Sequence, residues 1–188
     1  MGINDTEFSP VYWTLYTSNN WSLHMAATRQ GLCFVGSNHS SIDELKQWVQ
    51  VRRMGAPLIQ DNKRLEPYVQ ELHEYLMGER QTFSLPIDVT GTSFQMLVWQ
   101  ALTQIPYGIT QSYSDIASHI QKPASVRAVG TAIGANPLLI TVPCHRVIGK
   151  NGSLTGYRGG LDMKTRLLNL EQLNSVTAKG ESKEINSL

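Results

Sequence analysis

The chain has 188 residues, of which 41% are hydrophobic and 16% charged, and its mean hydropathy is -0.22. This composition predicts one compact domain or two small ones and excludes disordered and fibrous proteins. The formal net charge of +1 does not identify a polyanion-binding protein. The sequence shows neither a signal peptide nor the roughly 18 consecutive apolar residues of a membrane span. We therefore expect a soluble cytoplasmic protein without a membrane partner.

The first half of the chain predicts a small antiparallel sheet followed by two helices. Three segments rich in aromatic and β-branched residues are separated by polar or glycine-containing turns, which is typical of a meander. The next two segments have the apolar spacing of helices, and an extended segment follows them. The strands are expected at 11–17, 21–28 and 31–36, the helices at 42–53 and 65–77, and the extended segment at 83–89. We place a domain boundary near residue 90, so that residues 1–89 form an N-terminal α/β structural domain.

The second half is predicted to be mainly helical. An apolar stripe with helical spacing runs from Phe94 to Ile105 and ends at Pro106. A second helix follows Ser112, which stands three positions before Asp115 as in a capping box. A third stripe covers residues 126–133. Two short helices joined by a tight turn fit either a helix-turn-helix or an ordinary αα-hairpin.

A last apolar helix is predicted over residues 161–171, with Glu171 at its end. Residues 90–173 therefore form the predicted C-terminal domain. The following residues, 174–188, are polar and rich in Lys, Glu and Ser, and we expect them to be disordered.

Positive charge is concentrated in the second half of the chain. Residues 1–109 carry seven basic and ten acidic residues, whereas residues 110–171 carry seven basic and three acidic ones. A surface that faces phosphates would require such a concentration, although proteins that bind no nucleic acid often show a similar gradient. The candidate phosphate contacts are Lys122, Arg146, Lys150 and Arg158.

The chain contains two cysteines, Cys33 and Cys144, and neither lies in a metal-ligand or disulfide spacing. We therefore expect no structural metal. Cys144 is followed by His145 and Arg146, whose charges would favour the nucleophilic thiolate, so it is a candidate nucleophile. The alternative is a small buried apolar residue, which is the usual role of a free cysteine. Cys33 has apolar neighbours, and we interpret it as a core residue.

Several short motifs follow one another in the second half of the chain. They are Phe94-Gln95, Val98-Trp99, Ile105-Pro106-Tyr107-Gly108, Ser112-Tyr113, Arg127-Ala128-Val129-Gly130, Asn136-Pro137, Pro143-Cys144-His145-Arg146-Val147, Gly156-Tyr157, Gly159-Gly160 and Leu167-Leu168 with Glu171. In order and spacing this set closely resembles the O6-alkylguanine-DNA alkyltransferases, also called methylated-DNA-protein-cysteine methyltransferases. The C-terminal half matches strongly and the N-terminal half in outline.

The resemblance implies an α+β fold. Its N-terminal domain would be ribonuclease-H-like, and its C-terminal domain mainly helical and winged-helix-like, with a helix-turn-helix. The implied function is DNA repair by direct reversal of damage. The protein would flip an O6-alkylguanine nucleotide out of duplex DNA and transfer the alkyl group irreversibly to Cys144, once per molecule. O4-alkylthymine is a further candidate substrate. We expect the protein to be a monomer, to need no cofactor and to bind double-stranded DNA through the minor groove. In a bacterial source it would be associated with the nucleoid.

The resemblance also assigns a role to each matching residue. Cys144 would accept the alkyl group, His145 and Glu171 would deprotonate it through a water molecule, and Asn136 would brace the turn. Tyr113 would stabilise the purine anion that leaves. The expected DNA-binding and base-flipping residues are Arg127, Ala128, Gly130 and Ser112, with Arg127 filling the gap in the stack. The expected pocket residues are Pro143, Val147, Tyr157, Arg158 and Gly159.

Arg158 departs from some relatives, which carry a small hydroxyl residue at that position. Two other functions compete with alkyl transfer. The chain could be a DNA-binding module that recognises lesions without repairing them. It could also be a thiol hydrolase or a redox sensor that uses Cys144 and His145, although the sequence shows no oxyanion motif or resolving cysteine.

Overall fold

The computed structural model describes the backbone of residues 9–184 and the side chains of residues 9–175. The chain divides into two compact units. The first contains the described residues up to His73 and the second begins, in the main, at Gly91. Two short segments depart from the boundary that the sequence suggests. Residues 74–82 precede that boundary but belong to the second unit, and residues 137–141 follow it but belong to the first. Residues 83–90 belong to the first unit, as expected.

The first unit is built on a four-stranded sheet. Its strands are β1 (Val11–Ser18), β2 (Trp21–Ala27), β3 (Leu32–Val35) and β4 (Leu58–Gln60), in the order β3-β2-β1-β4. The first three strands form the antiparallel meander that the sequence predicts. Strand β4 lies parallel to β1, with Leu58 opposite Val11. The sequence does not predict β4, because three residues are too few to show an alternating pattern.

Two helices complete the first unit, α1 (Ile42–Arg52) and α2 (Asn62–Leu76). Helix α1 begins at Ser41, whose side chain accepts a hydrogen bond from the backbone of Asp43. The core of this unit contains Val11, Ala26, Cys33, Phe34, Leu45 and Val49. Cys33 is fully buried there, and burial raises the pKa of its thiol to about 12. Cys33 is therefore an inert core residue, as its apolar neighbours predict.

The second unit is mainly helical. Its elements after residue 90 are α3 (Ser93–Thr103), β5 (Gln111–Ser112), α4 (Tyr113–His119), α5 (Val126–Gly134), β6 (Val147–Ile148) and α6 (Gly160–Glu184). Strands β5 and β6 pair in parallel. The Ser112–Asp115 spacing does form a capping box, in which each side chain bonds the other residue's backbone.

Helices α4 and α5 form the predicted helix-turn-helix. Two residues after the end of α4, Gln121 adopts the left-handed conformation (φ 57°), and the backbone N–H of Lys122 donates to the carbonyl of Ala117. A 3-10 turn at Pro123–Ser125 then leads into α5. The indole N–H of Trp99 in α3 donates to the carbonyl of Ala132 at 2.8 Å, which fixes α5 against α3.

Helix α6 extends further than the sequence predicts. Its backbone is helical to Glu184, although we expected disorder from residue 174; residues 185–188 lie outside the described part of the chain. The difference has a compositional reason, since residues 174–184 contain no proline that would end a helix and include Ala, Lys and Glu, which favour one, although Gly180 opposes it. Within the described residues, no helix has the length and apolar character of a membrane span.

Candidate active site

Cys144 begins a tight 3-10 turn, Cys144–Arg146, which leads into β6. The backbone N–H of Cys144 donates to the carbonyl of Val142 at 2.7 Å, and that of Arg146 donates to the carbonyl of Pro143 at 3.0 Å. All three side chains of the turn are buried, and Cys144 is only 2% exposed. The turn sends the Cys144 side chain to Asn136 and the side chains of His145 and Arg146 to Glu171.

Asn136 lies two residues after the end of α5 and is fully buried. Its amide donates to the carbonyl of Val142 at 3.0 Å and to the sulfur of Cys144 at 3.1 Å. The Nε–H of Arg158 in turn donates to the backbone carbonyl of Asn136 at 3.1 Å. The amide therefore presents an N–H to the sulfur and links it to the carbonyl of Val142.

The carboxylate of Glu171 is 1% exposed and surrounded by donors. Its Oε1 lies 2.6 Å from Nε2 of His145 and also accepts a hydrogen bond from the hydroxyl of Tyr75. Its Oε2 accepts from Nε of Arg146 at 3.0 Å and from the backbone N–H of Gly108 at 2.8 Å. These contacts fix the carboxylate at both oxygens.

The surroundings of Glu171 decide which nitrogen of His145 carries the proton. Burial opposes the charge of the carboxylate, but the hydrogen bonds from His145 and Arg146 and the positive charge of Arg146 outweigh it, and the pKa of Glu171 falls to about 2. Glu171 is therefore an anion that can only accept, so the proton lies on Nε2 of His145. Burial also lowers the pKa of His145 and keeps the ring neutral. The free lone pair is then on Nδ1, which is buried and has no hydrogen-bond partner among the described residues.

Cys144 itself rests as a thiol. Burial raises the pKa of Cys144, and the hydrogen bond from Asn136 and the charges of Arg158 and Lys164 offset it only in part. The expectation that His145 and Arg146 favour the thiolate is therefore wrong. His145 is neutral, and Arg146 is buried, bound to Glu171 and to the carbonyl of Ile105 at 2.6 Å. For the same reason Arg146 is unavailable to a phosphate.

A loop between β6 and α6 lies beside Cys144, and Lys164 fixes it. Lys164 is fully buried and donates to the carbonyls of Val147 at 2.6 Å and Thr155 at 2.8 Å. The hydroxyl of Tyr113 also approaches the carbonyl of Thr155, at 3.4 Å. Two of the expected pocket residues, Pro143 and Val147, are buried. The other three, Tyr157, Arg158 and Gly159, are partly exposed.

The expected DNA-binding residues lie on and beside α5. Arg127 and Ala128 are exposed. A Cβ added at Gly130 would lie 3.8 Å from the ring of Tyr113, so α5 brings its small residues close to that ring. Ser112 is 8% exposed, and its hydroxyl caps α4 by accepting from the backbone of Asp115. Its side chain is therefore engaged within the protein.

The sequence analysis does not predict three features of the site. They are the presence of Tyr75, the presence of Lys164 and the contact between Arg146 and Glu171. A signal was present for Lys164, because Lys164, Leu167 and Glu171 have the i, i+3, i+7 spacing of one helix face. Two charged residues on an apolar face indicate a buried polar site. Tyr75 offers no such signal, since an aromatic residue at helical spacing is typical of any core.

Two family models together cover most of the chain. The ribonuclease-like domain of 6-O-methylguanine DNA methyltransferase matches residues 11–89, and the DNA-binding domain of the same family matches residues 93–173. The chain belongs to the 6-O-methylguanine DNA methyltransferase family. Both halves of the predicted α+β fold are thereby confirmed, and the DNA-binding match contains Asn136, Cys144 and Glu171.

Relatives of this methyltransferase align with it over nearly their whole length. The inducible methylated-DNA-protein-cysteine methyltransferase of Bacillus subtilis is 56% identical over 89% of this chain and 94% of its own. The methyltransferase of Methanosarcina barkeri is 47% identical over 87% of this chain and 99% of its own.

Solved structures give the same result. The crystal structure of O6-methylguanine methyltransferase from Mycobacterium tuberculosis superposes with a TM-score of 0.75 at 38% identity, covering 87% of this chain and 94% of that one. A structure of the Mycobacterium tuberculosis protein OGT in complex with DNA superposes with a TM-score of 0.73 at 36% identity, over the same fractions.

Proposed function

We propose that this protein repairs alkylated DNA by taking the alkyl group from O6 of guanine onto the sulfur of its own Cys144. The observation that carries the proposal is the chain of contacts from Glu171 to His145, beside a buried Cys144 that Asn136 holds. The methyltransferase family of the chain agrees with this chemistry. A buried thiol next to a neutral imidazole that is oriented by a carboxylate is the arrangement of an activated nucleophile.

The transfer is a single displacement. Nδ1 of His145 takes the thiol proton of Cys144, through a water molecule as the resemblance implies, and Glu171 stabilises the imidazolium that forms. The sulfur then attacks the alkyl carbon, so that an S–C bond forms while the C–O6 bond breaks. The electron pair of that bond stays on the purine, where the hydroxyl of Tyr113 stabilises the developing negative charge. The proton lost by the thiol finally neutralises the purine, which leaves guanine and a thioether.

The resting state of Cys144 suits a single-use reagent. Because burial raises its pKa, the sulfur is a thiol until a substrate is present. The hydrogen bond from Asn136 and the positive charges of Arg158 and Lys164 then stabilise the thiolate as the proton leaves. A thioether has no leaving group comparable to the purine, so the protein acts once.

Access to Cys144 requires the damaged nucleotide to leave the duplex, because the sulfur is 2% exposed and a stacked base cannot reach it. We infer that α5 enters the minor groove, where Ala128 and Gly130 allow close approach and Arg127 fills the gap in the stack. Lys122 and Lys150 are exposed, which supports their proposed contact with phosphates. The protein would act as a cytoplasmic monomer on double-stranded DNA.

Intact-mass spectrometry tests the proposal. The protein is incubated with duplex DNA that contains one O6-methylguanine and is then digested for peptide mapping. We expect one methyl group per protein molecule, located on Cys144. The Cys144→Ser variant should gain no mass, while the matched Cys33→Ser variant should be methylated as the wild type is.

An unchanged mass in a protein that still binds the duplex would refute alkyl transfer. Such a result would assign the chain to lesion recognition without repair. A methyl group on any residue other than Cys144 would refute the assignment of the nucleophile.

A further inference from the structure

Tyr75 is a buried hydroxyl that the proposed mechanism does not use. It lies near the end of α2, in the segment of residues 74–82 that belongs to the second unit, and its side chain is fully buried. Its hydroxyl donates to Oε1 of Glu171 and lies 3.4 Å from Nε2 of His145. The ring packs edge-on against Tyr107, with 5.8 Å between the ring centres.

The groups that face Tyr75 come from three elements: Glu171 from α6, His145 and Arg146 from the turn, and Tyr107 from the segment after α3. Burial, and then the negative charge of Glu171, raise the pKa of Tyr75 well above its usual range, although Arg146 opposes them. The hydroxyl therefore keeps its proton and acts as a donor throughout the neutral range.

We propose that Tyr75 is a positioning residue for alkyl transfer: its hydroxyl holds Oε1 of Glu171 as an anion turned toward His145, which keeps the histidine proton on Nε2 and leaves Nδ1 as the base. The inference rests on the proposed function of Cys144. It means that the N-terminal half of the sequence supplies a side chain to the reacting centre.

The physical argument concerns competition for one proton. Oε1 and Nε2 lie 2.6 Å apart, so the carboxylate and the imidazole share a hydrogen bond and titrate as a pair. Each donor to the carboxylate stabilises its anion and lowers the affinity of the pair for a further proton. Loss of the Tyr75 hydroxyl would raise that affinity. The pair would then gain a proton at higher pH, and this proton would occupy Nδ1 and abolish the base.

The Tyr75→Phe variant removes the hydroxyl and keeps the ring. Tyr107→Phe is the matched control, because Tyr107 packs in the same ring pair but its hydroxyl contacts Nδ2 of Asn174 at 3.5 Å. Single-turnover rates are measured with free O6-benzylguanine, which needs no base flipping, from roughly pH 5 to 9. We expect the acid limb of the Tyr75→Phe profile to lie about one pH unit higher, with rates below the limb about tenfold lower. The Tyr107→Phe profile should follow the wild type.

Three kinetic outcomes would overturn the proposal. They are superimposable profiles of wild type and Tyr75→Phe, an equal fractional loss at every pH, and an equal shift in Tyr107→Phe. The second would show that Tyr75 only supports the packing.

A second measurement on the unmodified wild type covers the case in which Tyr75→Phe does not fold. Nitrogen-15 spectra of the five histidines report the tautomer of each ring, and His145→Gln identifies the signals of His145. We expect a neutral His145 with its proton on Nε2, and a proton on Nδ1 instead would overturn the proposal. A wild type that transfers nothing to Cys144 would refute the proposed function, but the spectra would still show whether the tautomer is the one described.

Discussion

Replacing Glu171 by Gln tests the electrostatic centre of the second unit. The substitution keeps the size of the side chain and removes its charge. That charge is important because Glu171 is 1% exposed and its carboxylate accepts hydrogen bonds from four donors, which are His145, Arg146, Tyr75 and a backbone N–H. Arg146, whose side chain is 8% exposed, would keep its bond to the carbonyl of Ile105 but lose its counter-charge. A buried guanidinium without an anion is strongly destabilising.

The magnitude follows from the pKa of Glu171, which falls from 4.5 to about 2 in the folded protein. This difference corresponds to about 3 kcal/mol of stability at neutral pH. Breaking a buried ion pair costs about 3–5 kcal/mol, which agrees. Because the folded pKa is the lower one, the contribution is complete above pH 4.5 and is lost as the pH falls toward 2.

Urea unfolding followed by far-UV circular dichroism measures the effect at neutral and acidic pH. We expect Glu171→Gln to be less stable than wild type by about 3 kcal/mol at pH 7, and the deficit to shrink steadily below about pH 4.5. The matched control is Glu74→Gln, since Glu74 pairs with Arg80 at 2.7 Å with both side chains about a quarter exposed. Its loss should stay below about 1 kcal/mol. A deficit of Glu171→Gln that is independent of pH would refute the account of its ionisation.

Three further predictions concern other parts of the second unit. Arg127→Ala should slow repair of duplex DNA far more than reaction with free O6-benzylguanine, because only the duplex requires flipping; equal losses would remove its assigned role. Arg158→Met should react with the free base about tenfold more slowly at pH 7, because it loses a positive charge near Cys144 and the bond to Asn136, and Arg158→Lys should recover part of the rate. Gln121→Gly should raise the free energy of unfolding by up to about 1 kcal/mol, because Gln121 adopts a left-handed φ of 57°; an unchanged urea midpoint would contradict this.

Much of the fold could be read from local patterns. Segments rich in aromatic and β-branched residues predict the first three strands. The Ser112–Asp115 spacing predicts the start of α4, because a capping box involves residues only three apart. Strand β4 could not be predicted, since its existence depends on pairing with β1, far away in the sequence. Local propensity has no access to such a partner.

The candidate site, like the fold, has features that the sequence predicts and features that it does not. The motif around Cys144 predicts a nucleophile at this position, but the sequence does not show in which direction its neighbours point. Arg146 is only two positions from Cys144, but its side chain points to Glu171. The positive charge of Arg146 therefore pairs with that carboxylate and not with the sulfur of Cys144. The raised pKa of Cys144 depends on burial, which only the folded chain reveals. Tyr75 reaches Glu171 across 96 positions, a separation that no spacing rule spans.

The burial of Cys144 also bears on what the proposed transfer would do to the fold. An alkyl carbon added to the sulfur would have to find room in a turn whose three side chains are buried. Overpacking of this kind raises the free energy of the folded state. The alkylated product would therefore unfold more readily than the unreacted protein.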